Sequence, residues 1–215
     1  MLAFSADFQQ LDSWHCPYLK HCQAITIWER TLYLLSSAYD SVLGFNLDEQ
    51  RFHWAIHLLS ARFRFSGRIF DPLADDGPLL LEKLQLNSLH CNEHGMYISG
   101  HKTGGMLHFN GEAVNMAVQL PAKSNDARPF RDGVLFNDYG NDVLRYTGRG
   151  EGDEDRAMAV PGFARGLCVL NDRLVAGGSA PATLTLYDLA ANRTLASVRL
   201  SEDERSTIHS IALAP

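Results

Sequence analysis

The sequence predicts an all-β fold, and three observations support this prediction. Apolar residues come in short runs divided by Gly, Asn, Asp and Ser, a pattern typical of many short strands and not of long amphipathic helices. A cassette of four such runs recurs about every 40 residues. An aromatic residue also recurs at one register of the third run. Together they indicate a series of small, similar antiparallel sheets.

Each cassette begins with a strand that opens on a polar residue and continues with a small one. The polar opening residues are Gln23, Asn87, Asp126, Arg165 and His209. The small residues that follow them are Ala24, Ser88, Ala127, Gly166 and Ser210. The five openings are 64, 39, 39 and 44 residues apart, so the first interval contains an insertion relative to the others.

Three more strands are predicted after each of the first four openings. The second strands are "TLYLLS", "GMYISG", "GVLFND" and "RLVAGG". The third strands are "SVLGFNL", "GMLHFNG", "DVLRYTG" and "TLTLYDL", with the aromatic register at Phe45, Phe109, Tyr146 and Tyr187. The fourth strands are "FHWAIHL", "AVNMAVQL", "RAMAVP" and "TLASVRL".

Four short strands in a unit of this length are typical of a β-propeller blade. We therefore predict a single β-propeller domain over residues 1–215 with four complete four-stranded blades. Their expected ranges are about 21–58, 86–121, 127–161 and 164–200. A β-sandwich also has many short strands, but it would not repeat a four-strand cassette with its registers intact.

A partial fifth blade is predicted from the two ends of the chain. Residues 1–20 would add strands to a last strand within 206–215, because shared termini close many propellers and remove a free sheet edge. Twenty residues supply two strands and not three. The fifth blade would therefore be one strand short, or the chain is truncated from a larger propeller.

Two segments are predicted to be loops. Residues 59–85 hold the insertion, whose Gly, Pro and polar residues indicate a surface loop, with a short helix over "PLLLEKL". The acidic run "EGDEDR", residues 151–156, indicates a solvated loop.

The composition indicates what kind of protein this is and which kinds of partner it disfavours. With 46% hydrophobic and 20% charged residues, the chain has the composition of a soluble globular domain. Its net charge of −6 argues against nucleic acid and anionic membranes as partners, since both require a basic surface. The N-terminal residues lack the features of a signal peptide, so the four cysteines are interpreted as reduced thiols in a cytoplasmic protein.

The opening residues are the candidate binding site. First strands line the central channel of a propeller, so Gln23, Asn87, Asp126, Arg165 and His209 should converge on one axis. A carboxylate, a guanidinium, an imidazole and two amides suit a small polar or anionic ligand. The alternative is that these polar residues only satisfy backbone groups and bind channel water.

The remaining histidines and cysteines indicate no metal site. His90, His94, His101 and His108 match no metal spacing and are expected to be scattered surface or interstrand residues, with His90 pointing away from the channel. The stretch "HCPYLKHC" looks like half of a metal site. However, its second half enters the first blade, where His21 and Cys22 face opposite sides of a strand. His21 is left as a second-layer neighbour of the channel.

The cassettes "DARPFRDGVLFND" and "PGFARGLCVLNDRLVAGGS" resemble uncharacterised bacterial β-propeller proteins, a resemblance that loosely covers residues 21–215. More distantly, the blades are similar to those of gluconolactonase-like propeller hydrolases. That resemblance implies a divalent cation held by Glu, Asn and Asp on different blades. Asn87 and Asp126 match two of these ligands, but no Glu occupies an opening position.

Three functions follow as hypotheses, and the sequence specifies neither a cofactor nor a substrate. The first is a propeller that binds a small molecule or a protein partner at its channel mouth, with Arg165 pairing an anionic group. The second is a metal-dependent hydrolase or lyase in which Asn87, Asp126 and His209 hold the ion. The third is an interaction scaffold that uses blade faces and the insertion.

Overall fold

The computed structural model describes residues 1–62, 64–148 and 155–213, and within them the fold is all-β, as predicted. The acidic run lies mostly outside the described residues. The one helical element in these ranges is a short 3-10 helix, Ser37–Tyr39. None of the helical structure in the described ranges is long and apolar enough to cross a membrane.

Nineteen strands make up the described fold. The first seven are β1 (Leu2–Phe4), β2 (Gln10–Ser13), β3 (Cys22–Trp28), β4 (Thr31–Ser36), β5 (Ser41–Asn46), β6 (Arg51–Ala61) and β7 (Arg64–Phe70). The next four are β8 (Leu86–Asn92), β9 (Gly95–Gly100), β10 (Gly105–Phe109) and β11 (Val114–Gln119). The last eight are β12 (Ser124–Phe130), β13 (Gly133–Asp138), β14 (Val143–Thr147), β15 (Arg156–Ala159), β16 (Ala164–Val169), β17 (Leu174–Ser179), β18 (Thr183–Asp188) and β19 (Arg193–Arg199).

The strands form four antiparallel meanders and one separate hairpin. The first sheet has the order β3-β4-β5-β6-β7, the second β8-β9-β10-β11, the third β12-β13-β14-β15 and the fourth β16-β17-β18-β19. β1 and β2 pair only with each other. The first strands adjoin in chain order, since β3 contacts β8, β8 contacts β12, and β12 contacts β16. This arrangement is consistent with a β-propeller.

Apolar side chains fill the space between successive sheets. Leu35, Ile56, Ile98 and Leu107 belong to the core between the first and second sheets. A smaller core between the second and third sheets includes Met106 and Phe136. The core between the third and fourth includes Leu135, Tyr146 and Tyr187. The recurring aromatics of the third strands, Phe45, Phe109, Tyr146 and Tyr187, are all buried, which confirms that register.

The prediction for the chain ends is only partly correct. Residues 1–20 do supply two strands, but they pair with each other and not with the C-terminal segment. Residues 206–213 form no strand, so the predicted strand at "HSIALAP" is wrong over the described part. The N-terminal segment instead covers the free face of the first sheet, where Trp14, Cys16 and Tyr18 pack against Phe45 and its neighbours. The N-terminal segment therefore buries an apolar face of the first sheet, where pairing with a C-terminal strand had been expected.

The insertion is more ordered than predicted. The prediction of a surface loop over 59–85 is wrong for the first part of that segment. There β6 continues to Ala61, and β7 adds a fifth strand to the first sheet. β7 also lies against β11 of the second sheet, so the added strand contacts both sheets. "PLLLEKL" forms no helix. Instead the Asp40 carboxylate accepts hydrogen bonds from the backbone N–H groups of Lys83 and Leu84, at 2.7 and 3.0 Å.

Acid should lower the stability of the protein by protonating Asp188 at the end of β18, in the fourth sheet. Arg173 Nε and Nη2 donate to the two oxygens of this buried carboxylate, at 2.9 and 2.5 Å, and hold its pKa at about 2. The pKa of an unfolded Asp is roughly 3.9. The stabilisation is therefore complete above about pH 5 and is lost progressively as the pH falls towards 2.

The check is urea unfolding of the wild type and of Asp188→Asn at pH 7, 4 and 2.5. The variant should be less stable at pH 7 and should lose less stability than the wild type between pH 4 and 2.5. Parallel losses in the two proteins would contradict the assignment.

Candidate functional site

All four first strands carry a β-bulge at the opening position of the repeat. The pairing register shifts by one residue at Gln23, at Asn87, within Asp126–Ala127 and within Arg165–Gly166. Asp126 and Gly166 adopt positive φ values of 55° and 78° at these bulges. A bulge re-aims side chains and recurs next to functional sites. The polar-then-small pair seen in the sequence is therefore the signature of a bulge at the hub of the fold.

A polar cavity of about 310 Å³, called here the mouth cavity, lies at the starts of the first strands. Three of the five predicted residues line it: Gln23, Asn87 and Arg165. Residues that the sequence reasoning missed complete its wall: Ser37, Glu82, Gln85, His101, Asn125 and Phe163. The cavity combines four side-chain amides with one guanidinium, one carboxylate, one imidazole and one phenyl ring.

A smaller cavity of about 130 Å³, called the inner cavity, continues further along the same strands. It contains the other two predicted residues, Asp126 and His209, and it shares Gln23 with the mouth cavity. His90 and Arg128 also line it. The structure thus brings all five opening residues to the hub, but distributes them between two adjoining cavities.

Hydrogen bonds tie the mouth residues together across sheets. Arg165 Nη2 donates to Gln23 Oε1 at 2.8 Å, which links the fourth sheet to the first. Asn87 Nδ2 donates to the Ser124 carbonyl and to Asn125 Oδ1, at 3.0 and 2.8 Å, which links the second sheet to the third. Within the described residues this bond to Gln23 is the one hydrogen bond of the Arg165 side chain, so its other N–H groups are available to a ligand.

Asp126 serves the architecture of the hub. Its Oδ2 accepts hydrogen bonds from Gly166 N–H at 2.9 Å and from Asn137 Nδ2 at 3.2 Å. Burial raises the pKa of this carboxyl, and the positive charge of Arg128 opposes the rise. Burial likewise lowers the pKa of Arg128, whose Nε has no hydrogen-bond partner among the described residues. Asp126 and Arg128 are therefore a desolvated acid and base in the lining of the inner cavity.

Both histidines of the inner cavity have pKa values below the ordinary value for histidine. Burial, followed by the charge of Arg128, lowers the pKa of His90 to about 4. Burial and the charge of Arg165 lower the pKa of His209. The prediction that His90 points away from the channel is wrong, because the extra residue at the Asn87 bulge shifts the alternation of side chains by one.

Among the other histidines, only His101 belongs to the site. Its Nε2 lies 3.1 Å from Asn125 Oδ1 and 3.4 Å from the Tyr139 hydroxyl. His94 and His108 are interstrand surface residues as expected, with His108 Nε2 bonded to the His94 carbonyl at 2.8 Å. His21 Nδ1 lies 3.7 Å from Glu82 Oε1, so His21 stands one layer behind the mouth cavity.

The candidate metal ligands do not share one cavity. Asn87 lines the mouth cavity, whereas Asp126 and His209 line the inner cavity. No three His, Cys, Asp or Glu side chains come close enough to hold an ion anywhere in residues 1–62, 64–148 and 155–213. In the "HCPYLKHC" stretch, Cys16 is buried and its thiol donates a hydrogen bond to the Pro72 carbonyl, at 3.4 Å. Cys22 is exposed at the start of β3. All four cysteines are free thiols.

Comparison with known proteins bears on the fold. No family model matches the sequence, and no curated protein matches it. Solved structures do match. The computationally designed Ika8 protein superposes with a TM-score of 0.56 at 9% identity, over 90% of this chain and 65% of that one. AztD from Citrobacter koseri gives 0.50 at 13% identity, over 84% and 60%. A luciferin-regenerating enzyme gives 0.53 at 12% identity, over 91% and 80%.

These likenesses define the class of fold. AztD and the luciferin-regenerating enzyme are propeller-type proteins, and identities this low carry information about the fold alone. The chain therefore has a β-propeller-like all-β fold. It spans less than two thirds of the Ika8 and AztD chains. The similarity to bacterial and gluconolactonase-like propellers, and the cytoplasmic location, stay predictions.

Proposed function

We propose that the protein binds a small polyhydroxylated carboxylate in the mouth cavity. The observation that carries the proposal is the Arg165–Gln23 hydrogen bond, which fixes a guanidinium in the cavity and leaves most of its donors open. A fixed, planar guanidinium is well suited to a carboxylate. The volume of about 310 Å³ falls at the lower end of the range for small-molecule sites, roughly 300–1,000 Å³.

The other walls suit the hydroxyl groups and the carbon skeleton of such a ligand. Gln85 and Asn125 offer amide donors and acceptors beside the amides of Gln23 and Asn87. Phe163 is 39% exposed and packs against Tyr139 at 4.8 Å between ring centroids, so it presents an apolar surface to the cavity. Glu82 brings a negative charge to the lining, opposite in sign to Arg165. Its Oε1 accepts a hydrogen bond from the Ser37 hydroxyl at 2.9 Å.

The proposal includes an arrangement of blades. The four sheets act as four complete blades, and the C-terminal segment takes the hub position of a partial fifth. Ile208 lies against Gly166 and Gly178 of the fourth sheet, and residues 209–211 line the inner cavity beside residues 23–26 of β3. These contacts support the proposal that the segment takes the place of a fifth blade's first strand, between the fourth and first sheets.

Calorimetric titration with gluconate and with sorbitol tests the binding proposal. The two probes have the same number of carbons, but only gluconate carries a carboxylate. Gluconate should bind the wild type, and Arg165→Gln should weaken it roughly 10- to 100-fold, because the variant loses charge-assisted hydrogen bonds. Sorbitol should bind more weakly and respond little to the substitution.

Arg51→Gln is the matched control, since Arg51 is an exposed arginine paired with Glu49 on the first sheet. It should bind gluconate as the wild type does. Absence of gluconate binding to the wild type, or equal affinity in Arg165→Gln, would overturn the proposal.

A further inference from the structure

A second concave site, called here the aromatic groove, lies between the first and second sheets. It encloses about 430 Å³ and shares no lining residue with the mouth or inner cavity. Trp28, at the end of β3, belongs to its wall, whereas Gln23 stands near the start of that strand. Five residues of strand correspond to about 17 Å. The groove therefore opens at the opposite end of the first strands from the mouth cavity.

Aromatic rings form the walls of the groove. Tyr33 and Trp54 stand at 90° to each other with centroids 6.2 Å apart. Phe109 lies behind Trp54, with an interplanar angle of 29° and a centroid distance of 6.1 Å. Trp28, Tyr33 and Trp54 are only half-buried, so parts of these rings remain accessible. The perpendicular rings of Tyr33 and Trp54, with Trp28 in the lining of the same groove, present aromatic surfaces of the kind that attract a cation.

The charges around the groove favour a cation. Glu93 lines it, is exposed, and has one ion-pair contact, at 3.7 Å with His94 Nε2. Glu29 lies near enough to Tyr33 to act on its phenol electrostatically. His53 and His94 are the basic residues of the lining, and no lysine or arginine is among the described residues there. An anionic ligand would find no fixed positive charge, while a cation would meet π-faces and a carboxylate.

The geometry points to a binding site for an organic cation of the quaternary ammonium class, held by Trp28, Tyr33 and Trp54 and paired with Glu93. A methylated ammonium suits the site because its charge is spread over an apolar surface that cannot donate strong hydrogen bonds. The electrostatic attraction to the ring faces supplies affinity that a neutral group of the same shape lacks. This site is independent of the carboxylate site proposed above.

Choline and 3,3-dimethyl-1-butanol are the probes that test this inference, because they have the same shape and differ in charge. Calorimetry and tryptophan fluorescence should show that the wild type binds choline at least about tenfold more tightly than the neutral alcohol. Trp28→Ala should abolish that preference. Glu93→Gln should weaken choline roughly three- to fivefold at low salt and leave the alcohol unaffected.

Two controls keep the result interpretable. Glu202→Gln changes an exposed glutamate in the segment after β19, where it pairs with Arg199, and Arg165→Gln changes the mouth cavity. Both should bind choline as the wild type does. If Trp28→Ala is not folded by circular dichroism, the Glu93→Gln titration and choline-dependent shifts of the Trp28 and Trp54 indole N–H resonances decide. Equal affinity for the two probes, or no choline binding to the wild type, would overturn the inference.

Discussion

Asp126→Ala is expected to lower the free energy of unfolding by about 3 kcal/mol, because it removes the acceptor that joins the third sheet to the fourth. Gly166 N–H and Asn137 Nδ2 would both lose their bonds to Asp126 Oδ2. The half-buried Arg128 would lose the nearby carboxylate that offsets the desolvation of its guanidinium. Chemical denaturation at pH 7 measures the loss.

Asp126→Asn separates the hydrogen bond from the charge. The amide oxygen can still accept from Gly166 N–H, so the loss at pH 7 should be less than half that of Asp126→Ala. The pKa of Asp126 in the folded protein is raised by burial, so the wild type loses stability as the pH rises from about 4 through that pKa. The advantage of the wild type over Asp126→Asn should therefore shrink as the pH rises. An advantage that grows with pH would show that the surroundings stabilise the charged form of Asp126, and it would contradict this interpretation.

Asp40→Ala is expected to destabilise the protein by a similar amount, about 3 kcal/mol, and also to disturb the mouth cavity. The Asp40 side chain is 2% exposed and accepts both backbone N–H groups that fix residues 83 and 84 before β8. Its φ of 47° adds strain for an alanine, since this region suits Asp and Asn better. Glu82 and Gln85 flank the anchored residues and line the mouth cavity.

Two comparisons test the Asp40 prediction. Asp40→Asn keeps one acceptor and tolerates the positive φ, so it should lose about 1 to 2 kcal/mol. Asp48→Ala removes an exposed carboxylate that pairs with Arg30 and should leave the denaturation midpoint at the wild-type value. Gluconate affinity should fall in Asp40→Ala and stay unchanged in Asp48→Ala. A wild-type denaturation midpoint for Asp40→Ala would show that the anchor is dispensable.

Local patterns made the strands predictable. "TLYLLS", "GMYISG" and "GVLFND" coincide with β4, β9 and β13 because a short apolar run bounded by turn residues defines a strand within a few neighbours. The recurring polar-then-small pair likewise predicted which residues meet at the hub. It did not predict that His90 lines the inner cavity, because a bulge is a property of strand pairing and has no unique local code.

The unpredicted parts depend on distant contacts. β7 is a strand because it pairs with β6 and lies against β11, although its own residues alternate poorly. The N-terminal hairpin does not pair with the C-terminal segment, and the residues after it, Trp14, Cys16 and Tyr18, pack on an apolar face of the first sheet. His101 and Phe163 reach the mouth cavity from the second and fourth sheets, a proximity that no spacing in the sequence encodes.

By itself, then, the sequence determined the all-β class, the four-strand repeat and the polar residues at the hub, since each follows from side-chain alternation and turn chemistry over a few residues. Tertiary structure alone decided how those polar residues divide between two cavities. It also made Asp126 an architectural link and assembled the aromatic groove from two sheets. The physical reason is that cavities and electrostatic environments arise where separate sheets meet, and their depth depends on packing that no single strand contains.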